Sequence, residues 1–396
     1  MARPGLRQRL QKPIPAGFAS SRGKLAITSR TTTGENRRQP ILELQRSAGN
    51  TAVSELVTHV QRQIAIDVSP LTDEQVAKAT SFYVRQPKRY TPEIISQIQT
   101  RVGATATGVI DESTIQAVAR FQQGNPPLKV DGMAGPRTLP EAFVIGLEQP
   151  GEIEKFAKAA KGVVGQWATL GTAAKRGEAL VKEINDRLIA IGVPPIAQAI
   201  TNTENDGEFD FTTWTMDLGR DAFTPNTISD ADAAEVVDTV YHESRHAEQW
   251  FRMAQMLAGR KNVATAIAAR MTIPLDIAKK AVASPLAKGS MEAVEAEGWF
   301  DSVYGVDSAH RDAVLGDLAR KQHAFLTAKK AQEKAQEADD KHPTPATAAA
   351  LEAANKRLEK AQEAFTKAVA AHDDLPEEFD ATRVGNKARD VFSGTP

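Results

Sequence analysis

Tyr241-His242-Glu243-Ser244-Arg245-His246-Ala247-Glu248-Gln249 is the stretch that decides how the chain is read. Residues four apart on a helix stand one above the other on the same face. His242 and His246 therefore aim two imidazoles at one point, with Glu243 beside them at the edge of the same cleft. Two neutral imidazole nitrogens and a carboxylate from elsewhere make the three-ligand shell of a catalytic Zn²⁺ and leave a fourth position for water. Glu243, next to the metal without binding it, is suited to take that water's proton as it attacks a carbonyl. With 7 His and 50 acidic residues in 396 positions, chance supplies this pattern only on the order of 0.02 times per chain. The flanks support a helix. Ser229 or Asp230 can cap it, Ala233, Val236, Val237 and Val240 form an apolar stripe, and the next Gly or Pro is Gly259. A solvated helix face with two ordinary surface histidines is the competing reading, and that context weighs against it.

A third ligand has to come from outside this helix, and two stretches compete: Leu375-Pro376-Glu377-Glu378-Phe379-Asp380-Ala381, and the run from Met291 to Asp301 that contains Glu297. Each also fits a charged helix start, because carboxylates in a first turn suit the helix dipole. His242-Glu243-x-x-His246-x-x-Gln249 with Pro376-x-Glu378-x-Asp380-Ala381 downstream resembles bacterial gluzincin-type metallopeptidases. The resemblance implies a zincin-like fold, Zn²⁺ as cofactor and a peptide or protein substrate. The family's third ligand is a Glu in an Asn-Pro-x-Glu-x-Glu-Ala type motif. Laid residue by residue, Glu378 takes the ligand place, Asp380 stands where the family often has Glu, and Leu375 replaces Asn. Glu297 with Asp301 instead mimics the Glu-x-x-x-Asp pattern of thermolysin-like enzymes, where the Asp orients a ligand His from behind. Glu378 is favoured, and Glu297 stays open.

The totals exclude several other classes. At 41% hydrophobic, 25% charged and net charge −1, the composition is that of an ordinary soluble protein with room for two or three domains. Near-zero net charge gives no global pull toward nucleic acid or membrane. Without cysteine there is no disulfide, no thiol nucleophile and no Cys-ligated zinc. No apolar run approaches the ~18 residues a bilayer span needs. The N-terminus, with Met1-Ala2-Arg3-Pro4-Gly5, Lys12-Pro13 and Pro15, lacks the apolar core of a secretory signal peptide.

Residues 1–40, with nine Lys/Arg against Glu35 alone, read as a disordered basic arm. In 41–66, Leu44-Gln45-Arg46-x-Ala48-Gly49-Asn50-x-Ala52-Val53 resembles N-terminal segments of cargo carried by bacterial contractile injection systems. That implies an injection-system particle as partner, and a protein made in the bacterial cytoplasm and exported as its cargo without a signal peptide. In 70–145, Thr107-Gly108-x-x-Asp111-x-x-Thr114 is echoed by Val130-Asp131-Gly132-x-x-Gly135-Pro136-x-Thr138. Each Gly lets the chain reverse, and each Asp or Thr can cap the next helix. The pair resembles the three-helix peptidoglycan-binding module, which implies peptidoglycan as a partner, although Phe82, Tyr83, Tyr90 and Phe121 are its few aromatic platforms.

Residues 150–396 read as the zincin-like domain. Two helices are expected over 150–200, and Gly207–Leu218 alternates with period two as a single strand. That strand would hold Glu208 and Asp210 away from the face of the metal helix, so neither counts as a ligand. Tyr304 and His310 are candidates for steadying an oxyanion, although such residues more often pack or face water, and they are left outside the site. The Ala-, Lys- and Glu-rich run 328–372, split by Pro343 and Pro345, reads as an antiparallel helical hairpin that returns Glu378 toward the metal helix. The fold expected is α+β, mostly helical: a zincin-like domain with a small β-element behind a three-helix module. The function expected is zinc-dependent peptide-bond hydrolysis by a bacterial toxin or effector. The alternative is a non-catalytic cargo or adaptor that binds cell wall, with a structural zincin domain.

Overall fold

The computed structural model describes residues 70–201 and 207–394. The basic arm 1–40 and the cargo-like segment 41–66 lie outside the described residues. The described chain is mostly helical with one small three-stranded sheet, and it divides into two compact units between Phe143 and Val144.

The first unit holds α1 (Asp73–Val84), α2 (Pro92–Arg101), α3 (Glu112–Gly124) and the short α4 (Thr138–Ala142). Thr72, Thr91 and Asp111 cap the first three helices by accepting from the backbone N–H three residues on. The sequence echo becomes a duplicated structural device. Buried Gln99 donates to the Thr107 and Thr114 hydroxyls and the Val109 carbonyl, and accepts from the Thr107 and Gly108 N–H groups. Buried Gln122 does the same for the second turn. It donates to Asp131, the Met133 carbonyl and Thr138, and accepts from the Asp131 and Gly132 N–H groups. Tyr83 and Tyr90 are buried, and their hydroxyls donate to the Gly132 and Ala134 carbonyls. They are core residues, not sugar platforms.

The second unit begins with a 3₁₀ turn (Gly146–Glu148), then α5 (Pro150–Gly165), α6 (Trp167–Leu170), α7 (Ala173–Ala190), β1 (Ala197–Thr201), β2 (Gly207–Asp210) and β3 (Thr215–Gly219). Next come α8 (Arg220–Phe223), α9 (Asp230–Gly259), α10 (Ala264–Met271), α11 (Leu275–Ala283), α12 (Met291–Val303), α13 (Ser308–Lys341), α14 (Pro345–Asp373) and α15 (Pro376–Ser393). The strand order is β1-β3-β2, with β1 parallel and β2 antiparallel to β3.

Two local expectations are corrected. The single strand expected over Gly207–Leu218 is a hairpin, because Asp210 accepts from the Thr212 N–H and from both threonine hydroxyls at 2.6–2.8 Å. Trp214 completes the reversal at φ 61, and its ring meets Phe209 edge-on at 5.1 Å. The polar residues of the apparent alternation thus build a turn. The helical reading of 150–200 omitted β1, five residues too short to show a period. The helical hairpin is present and longer than expected, since its first arm starts at Ser308.

The core lies around α9, capped by Ser229 and buried on all sides from Val240 to Phe251. α15 packs along it. A Cβ on Gly385 would come within 2.3 Å of Asp238 Oδ1 and 3.2 Å of His242 Cβ, so glycine there permits the close approach of the two helices.

Candidate metal centre

Helix α9 presents His242 and His246 one turn apart, with ring centroids 4.8 Å apart and nearly perpendicular planes. Their Nε2 atoms stand 3.1 Å from each other. Glu378, in the first turn of α15, brings Oε2 to 3.4 Å from His246 Nε2 and 3.7 Å from His242 Nε2. One ligand atom from each of the three lies within 4.8 Å of the others, and all three residues are buried. Among the described residues this is the sole group of three or more His, Cys, Asp or Glu so disposed. A buried set of two imidazoles and one carboxylate could hold a metal ion.

The sequence offered two third ligands, and the fold separates them. Glu297 pairs with Arg260 at 2.6 Å and does not join the histidines, whereas Glu378 does. Glu243 is 2% exposed. Its Oε2 accepts the Phe209 N–H of β2 at 2.8 Å, while Oε1 lies 3.9 Å from His242 Nε2 and has no hydrogen-bond partner. An orphaned buried carboxylate oxygen is costly, so its presence beside the donor set marks a position where a ligand or water belongs. Close approach of β2 to α9 makes the Phe209 contact possible, since a Cβ on Gly207 would meet Thr239 at 2.5 Å.

Behind these three residues lies a layer that sequence reasoning did not assign. Gln249 Oε1 faces His246 Nδ1 at 2.9 Å, so Nδ1 is the nitrogen that keeps its proton when the ring is neutral, and Nε2 is then the one able to coordinate. Gln249 in turn donates to the Glu377 carbonyl and Asp380 Oδ2, each at 2.9 Å. Asp380 also accepts from Arg245 Nε at 2.8 Å and from Arg383 Nη2 at 2.9 Å. Arg245 donates to Glu248 at 2.6 Å, and Glu248 accepts the Leu147 N–H at 2.9 Å. One face of the motif therefore carries the donor set, and the other ties α9 to α15 and to the 3₁₀ turn. Gln249 and Asp380 were visible as motif positions, but their roles depend on which helix packs on which.

His372, at the end of α14, was missed altogether. It is 3% exposed, and its Nε2 stands 3.6 Å from Glu378 Oε1. Nothing in its local sequence marks it, since Glu378 comes within reach only where the end of α14 folds against the start of α15. Of the oxyanion candidates, Tyr304 accepts from Trp250 Nε1 at 3.0 Å and donates to the Met271 carbonyl at 2.9 Å, which is a packing role. His310 is exposed.

The site draws positive charge. Burial works to lower the His246 imidazole, but the Glu378 carboxylate overrides it and pushes the group up to about 9. Burial works to raise Glu378, yet His372, then His246, hold it well below the usual carboxylate range. On β2, burial and then the Glu243 carboxylate push Glu208 up to about 8. Glu208 thus feels the site electrostatically while lying outside the donor set. Comparison of the chain with protein-family models, with curated proteins and with solved structures finds no match.

Proposed function

We propose that residues 150–396 form a zinc-dependent peptidase domain of the zincin type, gluzincin in its ligand set, acting on a peptide bond in a protein or in peptidoglycan. The observation that carries this reading is the buried convergence of His242, His246 and Glu378 beside the unpartnered Oε1 of Glu243. A Zn²⁺ held by those three residues would supply Lewis-acid polarisation of a carbonyl and acidify a water molecule.

The chain's own groups then divide the work. Glu243, fixed through Oε2 by the Phe209 N–H, has Oε1 free to take a proton from water and to return it to the departing amine. Gln249 holds His246 in the tautomer that leaves Nε2 for coordination. β2 lies at one edge of the sheet, where an extended peptide can add by backbone pairing; the Phe209 N–H is already committed to Glu243, which shortens the ladder on offer.

The wider reading is a bacterial effector or toxin carried by a contractile injection system, with the first unit binding peptidoglycan. Its support is the two sequence resemblances and the duplicated glutamine-centred turn. Among the described residues no helix is long and apolar enough to cross a membrane.

The test uses the full chain with denatured casein and purified sacculi as substrates. Glu243→Gln is expected to keep its zinc and lose about 10²–10⁴-fold in hydrolysis, the usual contribution of a general base. Hydrolysis unchanged in Glu243→Gln overturns the assignment, and a zinc-free, inactive wild type returns the chain to the adaptor reading. Activity on sacculi alone identifies a wall-specific hydrolase.

A further inference from the structure

Glu378 turns its two oxygens toward different histidines. Oε2 faces His242 and His246, and Oε1 faces His372 Nε2 at 3.6 Å. His372 is buried, and its Nδ1 faces Asp373 Oδ1 at 3.3 Å. Its place is fixed from both sides of the helix junction: the Leu375 N–H donates to the His372 carbonyl at 2.9 Å, and the Phe379 N–H to the Leu375 carbonyl at 2.8 Å. The opposite arm of the helical hairpin reaches the same turn, where Arg311 Nε bonds Glu377 Oε1 at 2.6 Å. The base of the hairpin therefore brackets two adjacent glutamates, one from each arm.

We propose that His372 is a positioning residue for the metal centre: it holds the Oε1 side of Glu378 so that Oε2 stays turned to the two imidazoles of α9. A glutamate loses rotamer freedom when it is fixed, and a contact that fixes it before the ion arrives raises affinity by removing that cost from binding. Groups that orient a metal ligand from behind contribute about 10–100-fold in metal affinity. His372 stands outside the group whose ligand atoms converge, so its effect runs through Glu378. This inference rests on the metal-site reading.

Three variants of the full chain test it, read by Zn²⁺ affinity in competition with a chromophoric chelator, the visible spectrum of the Co²⁺-loaded protein and the melting temperature of the chelated protein. His372→Leu is expected to lose about 10–100-fold in Zn²⁺ affinity and to change the Co²⁺ spectrum. His372→Gln, whose side-chain amide can offer an N–H toward Oε1, is expected to recover most of both. Wild-type affinity and spectrum in His372→Leu overturn the proposal. Should His372→Leu not fold, Asp373→Ala, which removes the acceptor facing His372 Nδ1, reads the same contact from its partly exposed side: a smaller fall in affinity supports the proposal, and no change overturns it. A wild type that binds no metal fails the centre itself, which is a different result from a wild type and a His372→Leu variant that bind equally.

Discussion

Single residues of the second unit show how a buried charge is either matched or neutralised. Arg245 is matched: it bonds Asp380 and Glu248 and lies over the Trp299 ring at 5.4 Å. Glu295 is not, since both its oxygens are buried without a hydrogen-bond partner. Burial, against the pull of Arg245, pushes its carboxyl well above the usual range. The folded state therefore holds a proton that the unfolded state releases above about pH 4.5, and this group's cost to stability grows as pH rises from there. Glu295→Gln should match the wild type near pH 4.5 and become progressively more stable than it toward pH 8, as denaturant melts at a series of pH values would measure. A constant difference across that range would mean Glu295 is charged when folded. Gln249 gives a second prediction at this scale. Gln249→Leu removes the partner of His246 Nδ1 and should weaken Zn²⁺ binding about 10–100-fold, measured by chelator competition.

At the scale of elements, the centre depends on α15 lying close along α9. Gly385→Val places a side chain against Asp238 and His242. Overpacking of this kind costs about 1–3 kcal/mol, and it should lower metal affinity as well, because Glu378 rides on the displaced helix. Urea melts and zinc titration would read the two effects. In the first unit, Gln122→Leu strips partners from the Asp131 and Gly132 N–H groups and should cost at least about 2 kcal/mol, measured as a lowered urea midpoint. Much of this level was legible in the chain. The four-residue spacing, the Ser229 cap and Gly259 marked α9, and Pro343 and Pro345 divided the helical hairpin. The β2–β3 turn was not legible, because Asp210, Thr212 and Thr213 satisfy a strand pattern as well as a turn pattern until their side-chain hydrogen bonds are known. His372 was not legible either, since its link to Glu378 requires the end of one helix to fold against the start of the next.

At the scale of the whole molecule, the second unit holds a linked set of buried titratable groups, His246 and Glu378 among them. His246 is raised to about 9, so its stabilising contribution is complete below the unfolded value of about 6.5 and is lost as pH rises toward 9. The chelated protein should therefore lose stability across that window, and His246→Gln should flatten the loss. Zinc needs the imidazole neutral, so apparent affinity should climb with pH up to about 9. Binding at neutral pH should also release protons, detectable by titration calorimetry in buffers of different ionisation enthalpy.

Convergence of His242, His246 and Glu378 on one ion is read by zinc stoichiometry, from elemental analysis after chelation and reloading. One equivalent in the wild type and in Glu243→Gln, with none retained by His246→Ala or Glu378→Ala, is the predicted result. A wild type that binds no zinc, or a Glu378→Ala variant that binds it as tightly as the wild type, would mean that the three residues do not hold an ion together.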